Sequence, residues 1–327
     1  MTETATYREA DRSDRDAILA LRRSAFAGED AEKQQIEFWD WEFGGYAGAA
    51  RTFVAETAGR IVAHIGFIPQ QYSMPETVAG ALAVDAMTHP EYRRRSIFSK
   101  LTAYAAQRLR SEFQVVTAFQ IRPAVLPGMQ AGGWRIAADC PILIRPLSIV
   151  RFAADVAHRK TRFEQRPSGP SNVSVRRLDR EDLNAVGPLV AAVGVNQPRT
   201  RQFLEWRYMT NPAWRYDIEG AFEERKLRAF VVHRPTTLRG VRALAIADAG
   251  GDGASLRSLL RDVIRRAKAS GASVAAALVT DAHPAAAAFR ASGFWRGPHR
   301  FHLLVQAFDA RLDGRDWSLI WGDTDHL

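Results

Sequence analysis

The sequence predicts a two-domain α/β (α+β) chain on three observations. It has 327 residues, where a single domain takes roughly 100–200. Short apolar strands alternate with amphipathic helices along its length. That alternation also repeats: Tyr7-Arg8-Glu9-Ala10, Ser13-Asp14-Arg15-Asp16 and the run Ala17 to Phe26 are answered by Val175-Arg176-Arg177-Leu178, Asp179-Arg180-Glu181-Asp182 and the run Leu183 to Val193. Each reads as a short strand, an acidic helix start and an amphipathic helix. The parallel continues from Phe38-Trp39-Asp40-Trp41-Glu42-Phe43 to Phe203-Leu204-Glu205-Trp206-Arg207-Tyr208, and from Gly59-Arg60-Ile61 to Arg225-Lys226-Leu227. Late in each half Gly133-Trp134 matches Gly293-Phe294. A constant order at an offset near half the chain reads as a tandem duplication.

The boundary falls where periodicity ends. Ser148 to Arg166 is apolar at helical spacing through Ile149, Phe152 and Val156, and Pro167-Ser168-Gly169-Pro170-Ser171-Asn172 is rich in turn residues. The expected division is a first domain at 1–147, a helical and loop linker at 148–172, and a second domain at 173–327. In the first half, strands are expected at Thr52–Glu56 and Arg60–Phe67, joined by the turn Thr57-Ala58-Gly59, with a further strand at Gly80–Met87. Ile97, Leu101, Tyr104, Ala105 and Leu109 lie on one face of a helix from Ser96 to Arg110. A buried strand Val115–Phe119, a Pro-rich loop and a strand Cys140–Arg145 complete the half. In the second, Leu256, Leu259, Leu260, Val263, Ile264 and Ala267 form one helix face, stopped by Gly271. Trp39, Trp41 and Trp206 read as core anchors rather than substrate platforms, and the terminal Asp316–Asp325 as an exposed acidic end, with reach into a cleft as the alternative.

Composition narrows the function classes. Hydrophobic residues at 46% and charged residues at 25% are the balance of a globular protein. The net charge of +9 attracts polyanions in general, without an aromatic-and-basic motif or reading helix for nucleic acid. The single cysteine, Cys140, excludes an internal disulfide framework and multi-cysteine zinc sites, and its apolar surroundings predict an inert buried thiol. The polar N-terminus has no signal-peptide run, and no stretch approaches the ~18 apolar residues of a membrane span. A cytoplasmic protein with neither nucleic-acid nor membrane partners is expected. No metal is expected either, since His299-Arg300-Phe301-His302 alternates like a strand.

The chemistry concentrates in Asp85-Ala86-Met87-Thr88-His89-Pro90-Glu91-Tyr92-Arg93-Arg94-Arg95-Ser96-Ile97-Phe98-Ser99-Lys100-Leu101. A strand ends at Pro90, which cannot donate to a ladder, and a helix opens after a short turn. Unpaired N–H groups and the positive end of the dipole make such a helix start an anion site, and three arginines add phosphate-matching donors. A solvated helix start after a strand-ending proline is the plainer alternative.

Thr88-His89-Pro90 followed by Arg93-Arg94-Arg95-Ser96-Ile97-Phe98 resembles the signature of the GNAT acetyltransferases, a strand, a Val-x-Pro-like step and Arg/Gln-x-x-Gly-x-Gly/Ala at a helix start. The resemblance covers the first half well and the second in outline. It implies two tandem GNAT-like domains, each a central mixed, mostly antiparallel sheet flanked by helices. It further implies that acetyl-CoA or another acyl-CoA binds through Met87, Thr88, Arg93, Arg94, Arg95, Ser96, Ile97, Phe98, Ser99 and Lys100. The amides of Arg94 to Ser99 would take the pyrophosphate, and the main chain of Met87 and Thr88 the pantetheine arm. Ser96 replaces the family's glycine and Phe98 its second small residue, which adds a Cβ where a phosphate approaches. The second half puts acids instead, in Ala247-Asp248-Ala249-Gly250-Gly251-Asp252-Gly253-Ala254-Ser255, and reads as a degenerate copy.

Direct transfer to an amine needs a base near working pH. The candidates are Asp85 and Glu56, then His64 and His89. The tyrosine that the family often uses as the acid is missing from Gln120-Ile121-Arg122-Pro123-Ala124-Val125-Leu126-Pro127-Gly128. The expected activity is N-acyl transfer, from acyl-CoA to a small-molecule amine or amino sugar. The alternative is a non-catalytic acyl-CoA- or effector-binding protein, and a homodimer is left open.

Overall fold

A computed structural model describes residues 4–27, 31–74, 76–120, 125–148, 150–152, 155, 174–190 and 194–324. The expected turn-rich segment Pro167–Asn172, and most of the expected linker helix, Ile149 and Val156 included, lie outside the described residues, as do Ile121–Ala124 of the Pro-rich loop. The first half runs β1 (Thr6–Glu9), α1 (Arg15–Ala25), α2 (Ile36–Phe43), β2 (Arg51–Thr57), β3 (Arg60–Met74), β4 (Glu76–Thr88), α3 (Ile97–Leu109), β5 (Val115–Gln120), α4 (Leu126–Ala131) and β6 (Arg135–Pro146). The second runs β7 (Ser174–Arg177), β8 (Val195–Asn196), α5 (Arg201–Leu204), β9 (Asp217–Glu223), β10 (Lys226–Leu238), β11 (Val241–Gly251), α6 (Gly253–Ala269), β12 (Val274–Leu278), α7 (Ala286–Ala291), β13 (Trp295–Ala307) and β14 (Trp317–Ser318).

These elements form two units. Unit 1 is Met1–Ala138 with Thr210–Ala213 and His302–Arg315; unit 2 is Asp139–Met209, Trp214–Phe301 and Asp316–Leu327. In unit 1, β1, β2, β3 and β4 are successive antiparallel neighbours, β4 then pairs parallel with β5, and His302–Ala307 of β13 closes the sheet against β5. Unit 2 repeats the plan: β7, β9, β10 and β11 antiparallel, β11 parallel to β12, and Ile142–Pro146 of β6 against β12. The linear division at 147 and 173 therefore differs from the units, because each sheet takes its last strand from the other half of the chain.

The repeat reaches individual atoms. Arg8 grips Asp14 with two bonds of 2.6 and 2.8 Å, and Arg176 grips Asp182 with two of 2.6 Å. The carboxylates of Asp14 and Asp182 then accept from the backbone N–H groups of Asp11 and Asp179, both at 2.9 Å. The β2–β3 hairpin turns on two left-handed residues, Ala58 and Gly59, and the β9–β10 hairpin on Glu224 and Arg225, the twist that two-residue hairpins need.

Each unit has its own core. In unit 1, Leu101, Ala105 and Leu109 of α3 pack on Phe53, Val62, Ile65 and Phe67, while Ile18, Leu19 and Leu21 of α1 pack with Val54 and Trp39. In unit 2, Leu256, Leu259, Leu260, Val263, Ile264 and Ala267 of α6 pack on β10, β11 and β12. Cys140 is fully buried.

Three expectations need correction. The helix expected from Leu183 to Val193 is, over its described part, two 3-10 turns, Asp182–Ala185 and Gly187–Val190, because Pro188 cannot donate inside an α-helix. β3 does not stop at Phe67, nor does β4 begin at Gly80; they run on as one long hairpin pair from Gln70↔Gly80 to Met74↔Glu76. The tail is no exposed acidic end, since Trp317, Leu319, Ile320 and Trp321 are buried; Asp325 lies outside the described residues. Among the described residues no helix is long and apolar enough to cross a membrane.

Candidate active site

The site in unit 1 begins where β4 leaves β5. Their parallel pairing covers Gly80–Ala83 and Val115–Ala118, and β4 then continues to Thr88 paired with β3. A β-bulge turns the strand at this point: His64 faces Met87 and Gly66 faces Val84, so Asp85 and Ala86 together oppose Ile65. Asp85 is left-handed there, with φ 52°. A bulge bends and twists its strand, which carries Met87 and Thr88 away from the neighbouring edge.

A buried polar cluster fixes the bulge. Arg22 of α1, 1% exposed, is in close contact with the Asp85 carboxylate and donates to Glu42 Oε2 at 2.8 Å. His64 Nδ1 donates to the Asp85 carbonyl at 3.1 Å. Burial, with Arg22 nearby, pushes the His64 pKa down to about 3, so the ring is neutral; it packs on Trp39 and Phe43. Asp85 is thus the anion of a buried ion pair rather than an open carboxylate. The second candidate base, Glu56, is also held, by Arg8 Nε and Nη2 at 3.2 and 3.1 Å, but at 29% side-chain exposure it reaches water. His89 Nε2 accepts from Arg60 at 2.8 Å and the His89 backbone N–H donates to Val62 O at 2.8 Å, so the residue shapes the strand end.

Beyond Pro90 the chain makes a 3-10 turn through Tyr92 and enters α3. Arg93 is a structural residue: its guanidinium donates to the carbonyls of Thr88 (3.2 Å) and Ala25 (3.1 Å), stitching the loop to β4 and α1. Arg94 and Ser96 are both left-handed, at φ 62° and 57°, a main-chain form that gathers N–H groups into an anion-binding concavity. Ser96 occupies the N-cap without a side-chain capping bond. The first backbone bond of the helix is Lys100 N–H to Ser96 O, 3.1 Å, so the N–H groups of Ile97, Phe98 and Ser99 head the helix ahead of it. Arg94, Arg95 and Lys100 are exposed around this opening, with Arg95 lying over the Tyr92 ring, while Ile97 is buried and Phe98 half-buried against the core. Main-chain donors, exposed cations and a parted strand edge fit an extended ligand that carries a diphosphate.

Unit 2 has the same two features, both closed. At the start of α6, Asp252 caps the helix, accepting from Ala254 N (3.1 Å) and Ser255 N (2.9 Å). These bonds, with Ser255 foremost, hold its pKa below the ordinary carboxylate range, and the charge opposes a phosphate. β11 and β12 part after Ile246 and Ala277, and β11 also bulges, at Ala247. The gap is filled by the chain's own tail. Val279 bridges Ile320, Thr280 N donates to Leu319 O at 3.0 Å, and a Cβ on Gly322 would come within 1.9 Å of the Tyr208 hydroxyl and 3.1 Å of Ala247 O. Asp248 beside the bulge is fully buried and bound by Arg199 at 2.5 Å and the Tyr208 hydroxyl at 2.9 Å, and Arg199 also holds Asp323 at 2.7 Å. Each unit thus anchors its bulged strand with a buried arginine between two carboxylates. Sequence reading chose the acids by proximity and missed both arginines, and nothing local in the sequence pairs Arg22 with Asp85.

The comparisons with known proteins agree with this geometry. Residues 6–135 match the acetyltransferase (GNAT) domain family. No curated protein sequence matches the chain. Among solved structures it is similar to a GCN5-related N-acetyltransferase from Anabaena variabilis (TM-score 0.67, 9% identity, 94% of this chain and 74% of that one). It is also similar to a probable N-acyltransferase from Enterococcus faecalis (TM-score 0.68, 11% identity, 94% and 74%). A third is the N-myristoyltransferase of Saccharomyces cerevisiae, solved with bound myristoyl-CoA (TM-score 0.63, 13% identity, 93% and 83%). The fold is therefore GNAT-like, a mostly antiparallel sheet flanked by helices.

Proposed function

We propose that this chain is an acyl-CoA-dependent N-acyltransferase acting on the amine of a small molecule, with its site in unit 1, and that unit 2 is a tandem copy of the same fold that has lost its cofactor site. The observation that carries the reading is the contrast between the two helix starts. That of α3 presents main-chain donors without a side-chain cap, beside a parted strand edge. That of α6 is capped by Asp252, and its strand gap is filled. The match of residues 6–135 to the GNAT domain supports the same assignment.

In this reading the amides of Arg94 to Ser99 hold the pyrophosphate, Arg94, Arg95 and Lys100 balance its charge, and the main chain of Met87 and Thr88 aligns the pantetheine arm. Arg93 sets the loop. Acyl-CoA supplies an activated thioester. The amine nitrogen forms its bond to the acyl carbon as the carbon–sulfur bond breaks, the ammonium proton leaves to a base, and the thiolate takes a proton from water. We assign the base role to Glu56, the more exposed of the two carboxylates, and a positioning role to Asp85.

A protein that binds acyl-CoA without turnover is the second reading, favoured by the ion-paired state of both Asp85 and Glu56. Titration calorimetry with acetyl-CoA, coupled to thiol release over a panel of amines, separates the readings. Saturable binding that weakens at least about tenfold in Arg94→Glu/Arg95→Glu, as loss of charge-assisted bonds requires, together with amine-dependent thiol release, supports the enzyme. Binding with no release on any amine supports the second reading, and no binding removes both.

A further inference from the structure

We propose that unit 2 carries a separate small-molecule site, a pocket that takes an amphipathic monocarboxylate: an apolar chain or ring ending in one carboxylate. The pocket has a volume of about 540 Å³, within the roughly 300–1,000 Å³ of ordinary small-molecule sites. Leu143 of β6, Val279 just beyond β12 and Phe294 form an apolar floor, and α7 supplies one wall. These floor residues are buried, so the concavity is held by the core of the unit and not by loose side chains.

The rim gives the ligand its charge. Asp281, Arg290 and Arg296 line the mouth. Arg290 Nη1 lies 3.2 Å from Asp281 Oδ1, and Arg296 Nη2 contacts Asp281 Oδ2. A guanidinium carries five donors in a fixed fork, and one carboxylate cannot saturate two such forks. The rim therefore holds one net positive charge together with donors matched to a second carboxylate. One ligand carboxylate neutralises that single surplus charge, which fits a monoanion.

Trp295 sets the other half of the specificity. It lies at the edge of the same pocket and is 53% exposed. An indole in water beside an apolar floor is the kind of surface that a ligand's apolar body covers. The site shares no residue with the α3 opening, so it stands whether or not unit 1 transfers acyl groups.

The test uses the whole chain and octanoate as probe, read by titration calorimetry. One saturable site is expected. Octanamide, the neutral counterpart, should bind at least about tenfold more weakly, and Arg290→Met/Arg296→Met should weaken octanoate by a similar factor, the worth of a charge-assisted bond. Asp281→Asn, which removes the competing carboxylate, should strengthen it, and Trp295→Ala should weaken octanoate and octanamide alike. Absence of saturable heat overturns the proposal. So does equal affinity for octanamide, or octanoate binding unchanged in the double arginine variant, which would place the heat elsewhere. All four side chains are largely exposed, so the variants keep the fold.

Discussion

Replacing Ser96 by glycine should stabilise the protein and open the mouth of α3. Ser96 sits at φ 57°, ψ 14°, and its hydroxyl makes no capping bond. An L-residue in the left-handed region costs roughly 1–2 kcal/mol; glycine avoids that strain but loses about 0.5–1 kcal/mol through the greater freedom of the unfolded chain. The balance is a gain of ~0.5–1 kcal/mol, and in a unit of this size each 1 kcal/mol shifts Tm by about 2–4 °C. Ser96→Ala keeps the Cβ and the strain, so its Tm should stay near that of the parent. Thermal unfolding of the three proteins, with and without acetyl-CoA, checks both parts. Glycine should raise Tm alone and should not reduce the further rise on adding ligand. A lower Tm for Ser96→Gly, or an equal gain for Ser96→Ala, would refute the argument from backbone conformation. A loss of ligand response in Ser96→Ala would instead assign the hydroxyl to the phosphate.

Gly322→Ala would drive a methyl into the Tyr208 hydroxyl, 1.9 Å from the ideal Cβ position; it should destabilise unit 2 by about 1–3 kcal/mol as an overpacked core site, measured by urea unfolding. Asp252→Ala removes the α6 cap and should cost about 1 kcal/mol, yet create no acetyl-CoA site, because the tail still fills the strand gap; calorimetry on the variant decides. Burial holds His64 and His283 neutral, each with its pKa pushed down to about 3, Arg22 adding to the effect at His64 and Arg199 at His283. Folded pKa values below the unfolded value of about 6.5 mean that the unfolded chain binds more protons. Stability from these rings should therefore be complete above pH ~6.5 and fall by up to ~1.4 kcal/mol per pH unit for each ring as the pH drops toward 3. His64→Asn should flatten that slope in urea titrations between pH 7 and 4, and an unchanged slope would remove His64 from the account.

Much of the fold was legible because local pattern and tertiary role coincide. Ile97, Leu101, Ala105 and Leu109 are spaced for one helix face, and that face is buried. The Thr57–Gly59 turn was legible through its glycine. The long β3–β4 hairpin was hidden because its inward row from Gln70 through Tyr72 to Met74 includes a glutamine, and polar Gln71 and Ser73 alternate with it. The tail was misread for a similar reason: Asp316 and Asp323 advertise solvent, but Asp323 is an ion-pair partner of a buried arginine. At the site, the arginine run and the strand end were readable from composition and spacing. The roles within them were not. Arg93 is set apart from Arg94 by the two carbonyls it reaches, and Asp85 looks like a base until α1 brings Arg22 against it. Partners set by tertiary packing leave no mark on the nearby sequence.

The crossed closing strands have a consequence for how the chain comes apart. Severed at the linker, the N-terminal fragment would keep β6 but leave β5 as a bare edge, and the C-terminal fragment would keep the end of β13 but leave β12 bare. Neither piece is a whole domain, and exposed edges of this kind invite aggregation. Mixed together, the fragments should rescue one another, each supplying the missing ribbon. Because each sheet borrows its last strand from the other half, neither half can be discarded without unravelling its companion.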